Sequence, residues 1–312
     1  MQYNTPQLYA ELFGRAQVSF TLMTAMTVQH YPTGLGRCLR LLAVLLLAVS
    51  AAGCAKLMYN RLDMLAAWYI GDLVSLDEQQ RSDLRAWLGQ TLEWHRSSEL
   101  GRYATFLREF SAEISQPASR DTFQRAFDRV EGFFGVFTAQ TAPQATRLLL
   151  QLSPTQVEEL LANLEEKSNE RSADARDAIR GGTWQAKQIK KTQRQLKRWT
   201  GEISDEQKRL VDETMQHVQP TTLEWLESQR QWRAALREAF GNRDTAEKRI
   251  LQLLREPDTQ WTAQYKTKET SNREQFLSLM TALDASLTAA QRERMQRELT
   301  NLAERLEALT EE

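Results

Sequence analysis

Beyond residue 54, apolar side chains recur at three- and four-residue spacing almost without interruption, and no alternating run of Val, Ile and Thr bounded by turn residues appears. A chain patterned this way satisfies its backbone groups inside helices and buries one stripe of each helix against its neighbours. Gly and Pro, which would punctuate strands or loops, number only 13 and 7 in 312 residues. The expected fold class is all-α, an elongated multi-helix bundle. Helix breaks are predicted near residues 115–119, 141–143, 152–154, 181–182, 200–204, 220, 241–244, 257 and 284–288.

The segment before this pattern is of another kind. Residues 41–54 read LLAVLLLAVSAAGC. Its twelve residues from Leu41 to Ala52 would reach about 18 Å as a helix, against the roughly 30 Å of a hydrocarbon core. Arg37 and Arg40 precede the run, and the small residues Ser50, Ala51, Ala52 and Gly53 lead into Cys54. That is the layout of a signal peptide cut at Gly53–Cys54. The junction AAGC resembles a bacterial lipobox, with Ala51 where Leu is usual. The resemblance to bacterial lipoproteins implies that Cys54 becomes the first mature residue, carrying thioether-linked diacylglycerol and an amide-linked acyl chain such as palmitate. Residues 1–25 are read as a start-site extension before Met26, and residues 26–53 as the signal peptide. Ala55 is not the Asp that resembles an inner-membrane retention signal, so the expected place is the outer membrane, facing the periplasm.

Without residues 1–53, which hold three bases and one acid, the totals of 40 basic and 41 acidic residues fall to 37 and 40. A chain so close to neutral makes no electrostatic case for nucleic acid. Cys38 leaves with the leader and Cys54 is consumed by lipid, so no thiol remains for a disulfide, a metal or a nucleophile. The remaining 259 residues are enough to bury roughly 70 to 75% of their unfolded surface.

An internal repeat organises the chain. TLEW at 91–94 recurs at 222–225, LREF at 107–110 is echoed by LREAF at 236–240, and SRDTF at 119–123 by NRDTA at 242–246. LDEQQ at 76–80 matches ISDEQ at 203–207, and LSPTQ at 152–156 matches LTAAQ at 287–291. Five matches in register indicate a tandem duplication, with helical repeats over residues 54–184 and 185–312.

The last two matched pairs share one form: an aliphatic residue, a Ser, Thr or Asp, two variable positions, then Gln. Asp77, Ser153, Ser204 and Thr288 are suited to helix N-caps, with Gln80, Gln156, Gln207 and Gln291 reaching back three residues later. The same form resembles the LTxxQ motif of Spy-like periplasmic chaperones, matched strictly only at residues 287–291. That likeness implies an all-helical protein that cradles unfolded clients. The chain as a whole, beginning with KLMYNRLDMLAAWYIGDLVSLDEQQ at 56–80, also resembles a group of uncharacterised proteobacterial helical lipoproteins, which implies no activity.

Catalytic chemistry finds little footing. With His30 in the leader, His95 and His217 remain, in non-equivalent repeat positions and in no metal motif. Glu165 and Glu166 stand among Lys167 and Arg171 as a solvated face. The eight Trp, including the equivalents Trp94 and Trp225, are expected to pack between helices, with a ligand groove as the alternative. No cofactor or metal is expected. From residue 178 to 201 there are seven basic residues and no acid; on a helix, Lys187, Lys190, Lys191, Arg194, Lys197 and Arg198 share one side, opposite Ile189 and Leu196. This face is either a solubilising one, neutralised by neighbouring acids, or a contact for an anionic envelope surface or client. The expected function is a membrane-anchored, non-enzymatic lipoprotein that binds a protein client or envelope polymer. The alternative is an envelope enzyme such as a murein hydrolase, which would need two carboxylates facing each other in a groove.

Overall fold

The computed structural model describes residues 59–311; Gly53, Cys54, the signal peptide and the start-site extension lie outside the described residues. Among the described residues the elements are helical only: α1 (Leu62–Gly71), α2 (Glu78–Trp94), a π-helical turn (His95–Glu99), α3 (Leu100–Glu113), α4 (Arg120–Leu150), α5 (Pro154–Arg180), α6 (Thr183–Thr200), α7 (Asp205–His217), α8 (Thr222–Gly241), α9 (Ala246–Arg255), a 3-10 turn (Pro257–Gln260), α10 (Ala263–Ala285) and α11 (Ala289–Ala308). The longest, α4, has 31 residues and runs about 46 Å at ~1.5 Å per residue.

Each break has a local cause. Gly182 opens α6 at a φ of +64°, a left-handed conformation open to glycine at little cost. Pro220 lies between α7 and α8, and the chain is already extended at Val218, the C-cap of α7 two residues before it. Pro257 divides α9 from α10 with a 3-10 turn. The break expected at residues 141–143 is absent, and Pro143 sits inside α4. A proline removes one N–H and crowds the preceding turn. Thr141 Oγ1 donates to Phe137 O at 2.8 Å and Thr146 Oγ1 to Ala142 O at 2.8 Å, ordinary back-bonds to neighbouring carbonyls and not to Ala139 O, the one that a proline at 143 deprives of its N–H.

The π-helical turn was not foreseen. Thirteen positions lead from Trp94 to Leu107, but only eleven from the matching Trp225 to Leu236. The two extra positions of the first half fall in the segment that contains the π-helical turn His95–Glu99, which takes up one of them.

The two sequence halves interleave. The closing helix α11 packs along α3, the closing helix α5 packs along α8, and α4 packs against α9 and α10. Arg108 of LREF bonds Glu307 of α11 at 2.6 Å, and Arg237 of LREAF bonds Glu158 of α5 at 3.1 Å. Matched arginines therefore each reach the closing helix of the opposite half. One core joins Val157 and Leu161 of α5 to Leu236 and Ala239 of α8 and Ile250 and Leu253 of α9. A second joins Phe123 and Phe127 of α4 to Leu277 of α10. A third seats Ile189 and Leu196 of α6 on Val211, Met215, Leu279 and Leu283.

Candidate site: an apolar cavity beside paired capping boxes

All four boxes form at helix starts. Asp77, Ser153, Ser204 and Thr288 accept from the backbone N–H of Gln80, Gln156, Gln207 and Gln291, whose side chains accept from the cap N–H in return. The glutamines then do something that capping does not require, because the boxes meet in pairs. Gln80 Nε2 donates to Gln156 Oε1 at 3.1 Å and Gln156 Nε2 donates back to Gln80 Oε1 at 2.6 Å. Gln207 and Gln291 exchange the same two bonds at 3.0 Å. Each amide also crosses to the other box's approach loop: Gln156 Nε2 to Ser75 O at 2.8 Å, and Gln291 Nε2 to Glu202 O at 2.7 Å. The Gln207 pair is buried, with Gln207 fully enclosed, while the Gln80 pair is half-exposed. These glutamines spend their hydrogen bonds inside the fold, clamping α2 to α5 and α7 to α11.

The halves differ next to the boxes. Leu149 and Val157 pack apolar against one another's cluster in the first half. At the matching positions of the second half stand Asp284 and Arg292, a buried ion pair at 2.7 Å. Arg292 also donates to Ile114 O at 2.8 Å and Gln116 O at 3.2 Å, and Ala118 N–H donates to Asp284 at 2.6 Å. The pair fastens the α3–α4 loop to the start of α11.

Between α1, α2, α4, α5 and α8 lies an apolar cavity of about 310 Å³. Leu73 and Leu84 form part of its wall with Trp87, Phe137, Leu160 and Leu236. Asp63 is the single carboxylate among its lining residues, whereas Lys167, Arg171 and Arg233 contribute three cations. Lys167 is engaged, 2.9 Å from Asp72 and over the Tyr69 ring. His95 enters the wall from the π-helical turn. Its Nδ1 shares a 2.9 Å hydrogen bond with the Tyr59 hydroxyl, and its ring meets Tyr103 and Phe137 edge-on. Burial lowers the His95 pKa to about 4, keeping the imidazole neutral at pH 7. Burial likewise raises the Tyr59 and Tyr103 hydroxyls to about 12.

Sequence reasoning left His95 as a lone helical histidine and missed the cavity, since its wall comes from six helices and the π-helical turn, spread over residues 62–254. The Trp94/Trp225 match was the available signal. Trp225 is buried and lines the cavity, while Trp94 is half-buried against His95 and Phe137.

The basic side of α6 is placed opposite its anchors Ile189 and Leu196, and Lys187, Lys190, Arg194, Lys197 and Arg198 are exposed there. Lys197 bonds Glu202 at 2.6 Å, and Lys191 and Arg194 are also engaged. Lys187, Lys190 and Arg198 make no ion pair with a described residue. Among the described residues no group of His, Cys, Asp and Glu could hold a metal ion, and no helix is long and apolar enough to cross a membrane.

No curated protein and no solved structure matches the chain. A family model described as "Family of unknown function (DUF6279)" matches residues 72–266, and the chain belongs to that family. The match takes in α2 to α9 entirely, and with them most of the cavity wall.

Proposed function

From membership of a family without an assigned activity, we propose that this protein is a non-enzymatic binding lipoprotein of the cell envelope, anchored through Cys54, that encloses an apolar ligand in the cavity beneath α1. The observation that carries this reading is the cavity itself. It lies at the lower end of the roughly 300 to 1,000 Å³ typical of small-molecule sites, is apolar in most of its wall, and has few polar groups. A murein hydrolase needs a pair of carboxylates, and among the described residues of this wall Asp63 is the single one. The chaperone-like reading drew on the LTxxQ form, whose glutamines are occupied by each other and by backbone groups.

The neighbourhood of the anchor supports membrane apposition. Leu62, eight residues after Cys54, opens α1. On α1, Met64 and Trp68 stand one helical turn apart with 54% and 56% of their surface exposed, while Tyr69 packs inward. Met and Trp on the outer face of a tethered helix suit the interface of a bilayer, and the exposed cations of α6 suit an anionic surface. In this reading α1 is both wall of the cavity and contact with the membrane from which the ligand is drawn. The test is displacement: an uncharged naphthylamine probe should brighten on adding the protein and be displaced by long-chain alcohols. Failure of the probe to bind refutes the reading.

A further inference from the structure

One ridge of α8 within the cavity wall carries polar groups with nothing to bond to. Trp225, Gln229 and Arg233 follow at four-residue spacing, so they stack on one face of the helix, and all three line the cavity. Arg233 is 92% buried by its 8% relative exposure, yet it makes no hydrogen bond and no ion pair with a described residue. The acids whose charge reaches it are Glu165 and Glu227, and neither lies within ion-pair distance. Glu227 is already held by Arg230 at 2.6 Å and by Gln231. The indole N–H of Trp225 is buried without an acceptor. Trp232, in the same wall, shows what a satisfied indole looks like, donating to Leu253 O at 2.9 Å. Gln229 bonds no described residue, and neither does Arg171, which faces the cavity from α5.

The indole N–H of Trp225 is sealed off without an acceptor, whereas no nitrogen of Arg233 is sealed in this way: its guanidinium opens onto the cavity, and a charge held there without a protein partner adds no stability that a leucine would not supply. Burial acts against its charge, but an arginine begins from so high a pKa that it stays protonated at pH 7. Its donors are therefore waiting for an acceptor that the chain does not provide. The acceptor must be anionic to balance the charge, and must bring an apolar body to fill the rest of the cavity.

We propose that Trp225, Gln229 and Arg233, with Arg171 opposite, form an anion-recognition subsite, and that its ligand is the carboxylate of a single-chain amphiphile, a long-chain fatty acid, whose chain occupies the cavity. This rests on the reading of the cavity as an apolar-ligand site. The planar fork of Arg233 matches a carboxylate in bidentate fashion. Arg233 is the more enclosed of the two guanidiniums and Arg171 is half-buried, so a monoanion balances the charge that water reaches least, whereas a doubly charged phosphate must lose more hydration to enter the same apolar wall. A cavity of about 310 Å³ suits one hydrocarbon chain better than two. Arg233 is then a positioning and specificity group, selecting the head while the chain supplies most of the affinity.

The test uses the whole chain and displacement of the naphthylamine probe by three competitors: oleate, oleyl alcohol and oleyl phosphate. The wild type should prefer oleate over oleyl alcohol by about 10- to 100-fold, the scale of a charge-assisted hydrogen bond set. Arg233→Leu should erase that preference while leaving the alcohol as tightly bound as before, and Arg233→Lys should restore part of it. Because Arg233 makes no hydrogen bond or ion pair with a described residue, Arg233→Leu should melt at the same temperature as the wild type or higher. A variant that keeps the wild-type preference overturns the subsite and leaves the cavity reading intact. Preference for the phosphate by tenfold or more overturns the carboxylate assignment. If Arg233→Leu melts well below the wild type and loses oleate and alcohol alike, Arg233 is structural and the subsite is overturned. If neither oleate nor the alcohol displaces the probe from wild type, cavity and subsite readings fall together.

Discussion

The paired glutamines permit a comparison within one molecule, since the same four-bond arrangement occurs once in the interior and once near the surface. Gln207 is fully enclosed; its oxygen accepts from Ser204 N–H at 2.9 Å and from Gln291 at 3.0 Å, and its amide donates to Gln291 and, at 3.3 Å, to Ser286 O. Gln207→Leu keeps the volume, so the cost comes from what is stranded: the Ser204 N–H, one bond of the Gln291 amide and the Ser286 carbonyl. The bonds to Gln291 are buried and those to Ser204 and Ser286 part-buried; at ~1 to 3 kcal/mol for a buried orphan and less for the other two, the loss should be about 2 to 4 kcal/mol. Gln80→Leu strands the matching groups, the Asp77 N–H, the Gln156 amide and the Gln151 carbonyl. Those sites are half-exposed or exposed, and water replaces the lost partner. The expected loss there is about 1 kcal/mol, that of a weakened cap. Urea unfolding followed by tryptophan fluorescence, with slopes compared as well as midpoints, measures both. Costs that agree to within about 0.5 kcal/mol would refute the argument that burial, rather than bond number, sets the strength of the clamp.

Arg292→Met should cost about 3 to 5 kcal/mol by leaving Asp284 buried and unpaired, while the double variant Arg292→Val with Asp284→Leu, which copies Val157 and Leu149, should recover most of it in the same urea assay. His95 titrates near 4 in the folded chain against an ordinary 6.5, so the unfolded state binds more protons between those values and stability falls as pH drops through that window. From pH 7 to 5 the wild type should lose about 2 kcal/mol more than His95→Gln does; equal pH slopes would show that burial does not hold the imidazole neutral. Cys54→Ser should leave the chain unprocessed and without acyl label, and a variant with wild-type mobility and labelling would exclude the lipid anchor. Reversing Lys187, Lys190 and Arg198 to Glu should weaken sedimentation with anionic vesicles by about 1 kcal/mol per charge at low salt, without changing helix content, and undiminished binding would make the α6 face a solubilising one.

The helical class, most of the breaks and the four capping boxes are local properties, and so they were legible in the sequence. Periodicity, a Ser or Thr followed by Gln three residues later, and a Gly or Pro at a boundary each act over one or two turns, the range that a linear pattern records. Pro143 is the local rule that failed: the 31-residue helix runs through it, its course held by packing against α9 and α10 and not by any local signal. What the linear pattern could not carry is the pairing of elements. That Gln80 meets Gln156 and Gln207 meets Gln291 depends on helix starts 76 and 84 residues apart arriving at one place. The exchange of closing helices, α11 onto α3 and α5 onto α8, leaves no trace in either half alone. Arg233 makes the point most sharply: on its own helix it is one more base between Arg230 and Arg237, both paired with glutamates. Only when α1, α2, α4 and α5 close around α8 does it face an apolar cavity without gaining a partner, because desolvation is set by every surrounding element at once and by no stretch of sequence.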